Sequence, residues 1–290
     1  MKPFFIDENI KFQTGEEALK RLDLENDKKY FDEKKGVIKV DINRWKTAQR
    51  CEKNHWFVKE INSRDDRNFY HFRTFNSYES IKNKIFNNAL EIGSGPFTNL
   101  RMIGSISKIN NCDLLDPMIM DYLNHPNCMY DKSFLYSERY PVLGRILSKL
   151  TPSIFRKYLK YFSNKIKVSN LYNCAAEDLS SSIKYDLVVM INVIEHCYDI
   201  DKIFENILAL SNPGTVFIFS DKLYDLEEIN SGLKVSYDAA HPLKVEKNYL
   251  LNFLYQNFDV LFDKKVRNQF ELDGEHFEWN DVYFIGKKKG

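Results

Sequence analysis

Asn88-Ala-Leu-Glu-Ile-Gly-Ser-Gly-Pro-Phe-Thr98 is the segment on which the fold turns. A short apolar run passes into Gly93-Ser94-Gly95 and then into an expected helix over 97–109. Glycines at a strand-to-helix turn carry no Cβ, so the backbone can approach a nucleotide-like ligand closely. Two details narrow that ligand. Glu91 places a carboxylate at the end of an otherwise buried strand, which is costly unless it meets something cationic. Thr98 stands where a dinucleotide fingerprint has its third glycine, and Glu91 would repel a pyrophosphate at the helix start. A dehydrogenase is therefore disfavoured, and a ligand with ammonium or sulfonium groups is favoured.

Outward from this segment, short runs of Leu, Ile, Val and Phe alternate with helical patterns. Strands are expected at 88–92, 112–116, 185–191 and 215–220, with a weaker one at 168–172, and helices at 97–109, 199–211 and 245–257. This alternation predicts a parallel sheet with helices on both faces, and ligands at the strand carboxyl ends where strand order reverses. The stretches 258–266 and 281–287 suit an antiparallel hairpin at the sheet edge. Asp116 ends a strand 21 residues after Gly95, a placement suited to accepting hydrogen bonds from both hydroxyls of a ribose. The competing reading of Asp116-Pro117 is a plain turn. Ala176-Glu-Asp178-Leu179 follows the weaker strand, and its acids either meet an adenine ring or form an exposed turn.

Taken in order, Leu90-Glu-Ile-Gly-Ser-Gly95, Leu114-Leu-Asp116, Ala176-Glu-Asp178, Tyr185-Asp-Leu-Val-Val-Met-Ile-Asn-Val-Ile-Glu-His196 and Asn212-Pro-Gly214 resemble the motif series of class I S-adenosylmethionine-dependent methyltransferases. The likeness covers roughly 88–220, and the C-terminal strands more loosely. It implies an α/β fold with a doubly wound, mostly parallel seven-stranded sheet of the Rossmann-like methyltransferase kind, and S-adenosyl-L-methionine as cofactor. By that resemblance Glu91, Gly93 and Gly95 line the methionine end and Asp116 holds the ribose. Glu177 and Asp178 lie by the adenine, and Asn192 and Val193 sit under the sulfonium. Two departures are a single glycine in Ser211-Asn-Pro-Gly-Thr215, where Pro-Gly-Gly is common, and a long insertion before the third strand.

Methyl transfer from a sulfonium is an in-line displacement, so the protein must chiefly align the reacting atoms and exclude water. A hydroxyl acceptor also benefits from a general base, for which histidine has a suitable pKa. His196, just beyond the fourth strand, is the first candidate, and His241, in Tyr237-Asp-Ala-Ala-His-Pro242, is the second. Glu195 is expected to orient rather than react. For either histidine the competing reading is a hydrogen-bonded place at a turn or helix start. No metal is expected.

The domain reading is a helical N-terminal extension, 1–87, and a methyltransferase domain, 88–290, carrying a basic insertion at 129–167. The extension shows a capping-box pattern at Thr14-Gly-Glu-Glu17 and helices expected over 43–61 and 65–84. Its aromatics Trp45, His55, Trp56, Phe69, Tyr70 and His71 either wall an acceptor pocket or pack in the core. The whole chain carries a net charge of +1, yet 132–167 holds nine basic residues and only Glu138 as an acid, a net of +8, leaving about −7 for the remainder. Three roles compete for this amphipathic insertion: a lid helix pair over the acceptor, an interfacial element meeting anionic lipid, and a solvated insertion with no binding role. Nucleic acid is disfavoured, because basic residues interleaved with Leu and Ile bury a stripe rather than stack bases.

A hydrophobic share of 43%, with 22 Phe and 17 Tyr, supplies a core and excludes general disorder. No run of 18 apolar residues and no secretory-type N-terminus is visible, so the expected location is cytoplasmic, peripheral to the inner membrane face if the insertion meets lipid. Cys51, Cys112, Cys128, Cys174 and Cys197 form no C-x-x-C pair and read as reduced thiols. The expected reaction is O-methylation of a polar metabolite or glycan. An anionic or lipid-linked sugar fits the basic insertion and a general likeness to methyltransferases of surface-polysaccharide pathways. The alternatives are N- or O-methylation of a small natural product, and a module that binds S-adenosylmethionine without transferring methyl.

Overall fold

The computed structural model describes residues 27–58, 67–125, 128–130, 168–235, 238–272 and 275–290. The Thr14 capping box and all of the basic insertion but Met129 and Tyr130 lie outside the described residues. Before the main sheet come β1 (Gly36–Val37), α1 (Ile42–Val58) and α2 (Asn68–Thr74). Then follow β2 (Ile85–Ile92), α3 (Leu100–Ile103), β3 (Lys108–Leu115), α4 (Ile119–Tyr122) and β4 (Val168–Tyr172). The chain continues through β5 (Tyr185–Ile191), α5 (Ile200–Leu210), β6 (Ser211–Leu223), α6 (Leu226–Val235), β7 (Lys244–Val245) and α7 (Lys247–Asn257). It closes on the hairpin β8 (Phe258–Leu272) and β9 (Glu275–Lys288).

The seven strands run in the order β4-β3-β2-β5-β6-β9-β8. All neighbours are parallel except β9, which is antiparallel to β6 and β8. The doubly wound, mostly parallel sheet expected from the sequence is thus present. Its two cores follow from the period of two along a strand. Leu90, Ile92, Val188, Met190, Phe217 and Phe219 face one side and meet α5 and α7. Ala89, Leu187, Val189, Ile191 and Ile218 face the other and meet α3, α4 and Phe72 of α2. Helix α5 begins where Asp199 accepts a hydrogen bond from the Lys202 amide, and it buries Ile200, Ile203, Phe204, Ile207 and Leu210, one stripe at helical spacing.

Three elements differ from expectation. The helix expected over 65–84 stops at Thr74, and Asn76, Ser77 and Tyr78 take left-handed φ of 52°, 54° and 54°. This turn delivers Phe75, Tyr78 and Ile81 into the core, so burial overrides local helical preference. The helix expected over 97–109 is a single short turn, α3, before β3 starts at Lys108. The closing hairpin is longer than 258–266 and 281–287, because the polar backbone beyond those runs pairs with itself across the ladder.

Segment 27–58 is tied into the sheet domain. β1 pairs with β7 through Gly36 opposite Val245 and Val37 opposite Lys244. Among the described residues no helix is long and apolar enough to cross a membrane, and all five cysteines are free thiols.

Candidate active site

Strand order reverses between β2 and β5, the two strands on which β3 and β6 are laid outward. The loops leaving β2, β3, β4 and β5 there surround a cavity of about 1150 Å³. Gly93, Gly95, Asp116, Glu177, Asn192 and Val193 all line it. Gly93 has φ +69°, and a Cβ there would stand 2.4 Å from Val193 Cγ2. The β2 and β5 loops therefore touch only because position 93 has no side chain. Gly95, at φ +52°, donates its amide to Asp116 Oδ2 at 3.1 Å, and its carbonyl accepts from the Tyr130 hydroxyl at 2.8 Å. Asn192 holds φ +58°, a left-handed conformation that asparagine tolerates better than most residues.

The acids divide into two that face the cavity and two that do not. Asp116 accepts from the Gly95 and Met118 amides, and burial pushes its carboxyl up to about 7. Glu177 uses Oε1 on the Tyr198 and Asp199 amides, while its buried Oε2 has no hydrogen-bond partner. Glu91 is not on the cavity wall. Its carboxylate accepts from the Thr98 hydroxyl, the Asn99 amide at 2.9 Å, Asn99 Nδ2 at 3.0 Å and the Leu100 amide at 3.4 Å. It satisfies the free amides at the start of α3 and so binds the glycine loop to the helix from behind. Burial raises Glu91 to about 7. Asp178 also lies off the wall, accepting from the Tyr198 hydroxyl at 2.7 Å beside Lys202.

A second polar group lines the same cavity. His196 and His241 stand with ring centroids 4.7 Å apart. His241 Nδ1 lies 2.9 Å and 3.0 Å from the two Asp238 oxygens, and Lys244 Nζ donates to the same carboxylate at 3.0 Å. Burial opposes charge on His241, but the Asp238 carboxylate outweighs it and its pKa is raised. Asp238 is held well below the usual carboxylate range against its own burial by His241 and Lys244. His196 is lowered by burial and by its charged neighbour His241, against the pull of Glu52. Glu195, which also lines the cavity, accepts from the Tyr224 hydroxyl and from Lys222 Nζ at 2.9 Å. Despite its burial, His241, Lys222 and Lys244 keep it ionised.

Helix α1 holds these pieces in register. Trp45 Nε1 and Gln49 Nε2 donate to the His196 carbonyl at 3.0 Å and 2.9 Å, and Arg44 donates to the carbonyls of Asp238 and Ala239. Of the aromatics singled out in the N-terminal segment, Trp45, His55, Trp56, Tyr70 and His71 line the cavity, whereas Phe69 stacks on Phe72. The far wall comes from the hairpin, through Asn268, Trp279, Asp281 and Tyr283. Among the described residues no group of three or more His, Cys, Asp or Glu is placed to hold a metal ion.

Residues 37–250 match the family model of a methyltransferase domain. The chain belongs to that methyltransferase family. The match, with the sheet order, bears out the resemblance to the class I superfamily and its S-adenosyl-L-methionine dependence. Among solved structures, a candidate methyltransferase of Bacillus halodurans C-125 shares the fold at a TM-score of 0.51 and 9% identity, covering 76% of this chain and 99% of its own. The N-methyltransferase NodS of Bradyrhizobium japonicum WM9, solved with S-adenosyl-L-homocysteine, gives 0.46 and 14% over 84% of this chain and 99% of its own. No curated protein matches the chain in sequence.

In this methyltransferase the first and second candidate bases, His196 and His241, come together, and Glu195 lines the cavity with them. Sequence reasoning assigned no site role to Glu52, Asp238, Lys222 or Tyr130. Glu52 carried a signal, since Trp45, Gln49, Glu52 and Trp56 recur at three- and four-residue spacing and form one face of α1 on the cavity. Asp238, three residues before His241, carried a weaker one.

Proposed function

We propose that the methyltransferase moves a methyl group from S-adenosyl-L-methionine to a hydroxyl oxygen of a polar metabolite or glycan, with His196 as general base. The observation that carries this reading is that His196 and His241 line the same cavity of about 1150 Å³ as the glycine loop, a volume with room for a donor and an acceptor. The cavity residues fit the donor. Gly93 leaves a cradle a Cβ would fill, and Glu177 Oε2 is a buried acceptor in need of a donor group. Asp116 and Glu177 would hold its ribose and adenine, Gly93, Gly95, Asn192 and Val193 its methionine end, and Glu91 would act by fixing the loop. Bound there, the donor supplies an electrophilic methyl group on a sulfonium.

The chain's own residues do the rest. They exclude water, hold the acceptor oxygen in line and take its proton on His196 as the new oxygen–carbon bond forms. Trp45, Trp56 and Trp279 beside carboxylates and histidines suit a polyhydroxylated acceptor, which offers C–H faces to indole rings and hydroxyls to polar groups. The net +8 of 132–167 supports an anionic acceptor or an anionic lipid surface as the partner of that segment.

The test has two stages. Calorimetry should show tight binding of S-adenosylhomocysteine and none of NAD; the reverse ends the methyltransferase reading. A methyl-transfer screen over nucleotide sugars, glycans and amine-bearing metabolites should then find an oxygen acceptor, and transfer to amines alone would refute the O-methylation assignment. With the acceptor in hand, His196→Ala should leave S-adenosylhomocysteine affinity within a few-fold and lower turnover by roughly 100-fold or more.

A further inference from the structure

Glu52 of α1 lies outside every motif the sequence singled out, yet its carboxylate lies 3.7 Å from Nδ1 of His196, both side chains being 17% exposed. The facing is built. Trp45 and Gln49, on the same face of the helix, bind the His196 carbonyl, so the helix that carries Glu52 is pinned to the turn that carries His196. Trp56, one turn on, donates Nε1 to Glu52 Oε1 at 2.7 Å, fixing the carboxylate and leaving Oε2 towards the imidazole. Nδ1 of His196 is buried and makes no hydrogen bond, a nitrogen with a carboxylate in front of it and no other partner.

We infer that Glu52 is the positioning carboxylate of the transfer reaction, fixing the His196 ring and stabilising the imidazolium formed when His196 takes the acceptor's proton. The inference rests on the transfer reading above. The step balances: the acceptor O–H bond breaks, its proton goes to His196, the oxygen electron pair bonds the methyl carbon, and the carbon–sulfur pair leaves with the thioether. At 3.7 Å the two groups are not hydrogen-bonded in the free protein, and catalytic contacts that are long in the free enzyme tighten in the complex.

Other charges face His196 from each packed element. Glu52 of α1, Glu195 of its own turn and His241 of the loop before β7 act on it directly, while His55, Asp238 and Lys222 act on those neighbours. His241 disfavours a second cation beside it, while Glu52 and Glu195 favour one. Glu195 is engaged by Lys222 and Tyr224, and Asp238 by His241 and Lys244. Glu52, held by Trp56 through Oε1, keeps Oε2 to answer a charge on His196.

The experiment compares Glu52→Gln, Glu52→Asp and the native enzyme. Gln keeps an oxygen for Trp56 and removes only the charge. The acid limb of kcat against pH should move down by about one unit or more in Glu52→Gln, with kcat lowered about 10-fold or more and S-adenosylhomocysteine affinity within about two-fold. Glu52→Asp, which keeps the charge, should hold the limb near its native place. NMR titration of the histidine rings, with His196 assigned by its loss in His196→Ala, should show the same downward shift in the free protein. An unmoved limb and an unmoved His196 titration in an active Glu52→Gln enzyme overturn the assignment to Glu52 alone. Native enzyme that methylates nothing in the acceptor screen overturns the transfer reading, and the role of Glu52 with it.

Discussion

Replacing Gly93 by alanine tests the close approach on which the site depends. The new Cβ would lie 2.4 Å from Val193 Cγ2 and 2.8 Å from Cγ1, at φ +69°. The left-handed conformation alone costs an alanine about 1–2 kcal/mol. Forcing a methyl into packed atoms adds about 1–3 kcal/mol. Gly95 is the internal control, since it has φ +52° but no atom within 4 Å of a built Cβ, so Gly95→Ala carries the strain without the clash. Converted at about 2–4 °C per kcal/mol, Gly93→Ala should lower Tm by roughly 4–20 °C and Gly95→Ala by roughly 2–8 °C. Adding Val193→Ala removes both clashing methyls, so the pair should recover about 1–3 kcal/mol relative to additivity. Thermal unfolding of the native protein, the three single variants and the Gly93→Ala/Val193→Ala pair, with and without S-adenosylhomocysteine, measures this. Equal losses at 93 and 95, or strict additivity with Val193→Ala, would refute the claim that the β2 and β5 loops are in mutual contact at Gly93.

Two further outcomes follow from the buried acids. Burial holds Glu91 and Asp116 at about 7 in the folded protein, so they bind protons there at pH values where the unfolded chain has released them. The ligand-free protein should therefore gain stability as pH falls from about 8 to about 5, and lose it as pH rises through 7. The raised His241 acts in the same direction and the lowered His196 against it, while the depressed Asp238 and Glu195 weaken the fold only below about pH 4. Denaturant midpoints across that range should show the slope, and Asp116→Asn should flatten it; a rise in stability towards alkaline pH would contradict the burial argument. The same Asp116→Asn variant should weaken S-adenosylhomocysteine binding by about 10- to 100-fold, through lost hydrogen bonds to a charged acceptor. Unchanged calorimetric affinity would remove Asp116 from the ribose.

Much of the scaffold was legible because its signals are local. An apolar run such as Tyr185–Ile191 reads as a buried strand, and the stripe from Ile200 to Leu210 reads as a helix after an Asp cap. Gly93 reads as a turn because few other residues tolerate its φ. The fate of Glu91 was not legible. Sequence placed its carboxylate correctly at a strand end, but a charge there can meet either a ligand or free helix amides, and α3 supplied the amides. Glu177 and Asp178 are adjacent and chemically alike, and only the path of the turn sends one to the cavity and the other to Tyr198 and Lys202.

The sequence by itself determined the α/β class, the glycine turn, the carboxylate after β3 and the two histidines, since each is written in a few consecutive residues. The tertiary structure decided what these residues face. Glu52 meets His196 across 144 positions of chain, and Trp45 and Arg44 meet the loops of His196 and Asp238 across comparable distances, because β1 docks on β7 and lays α1 over the cavity. Contacts of that span depend on how whole elements bury their apolar faces, and no local pattern of residues encodes them.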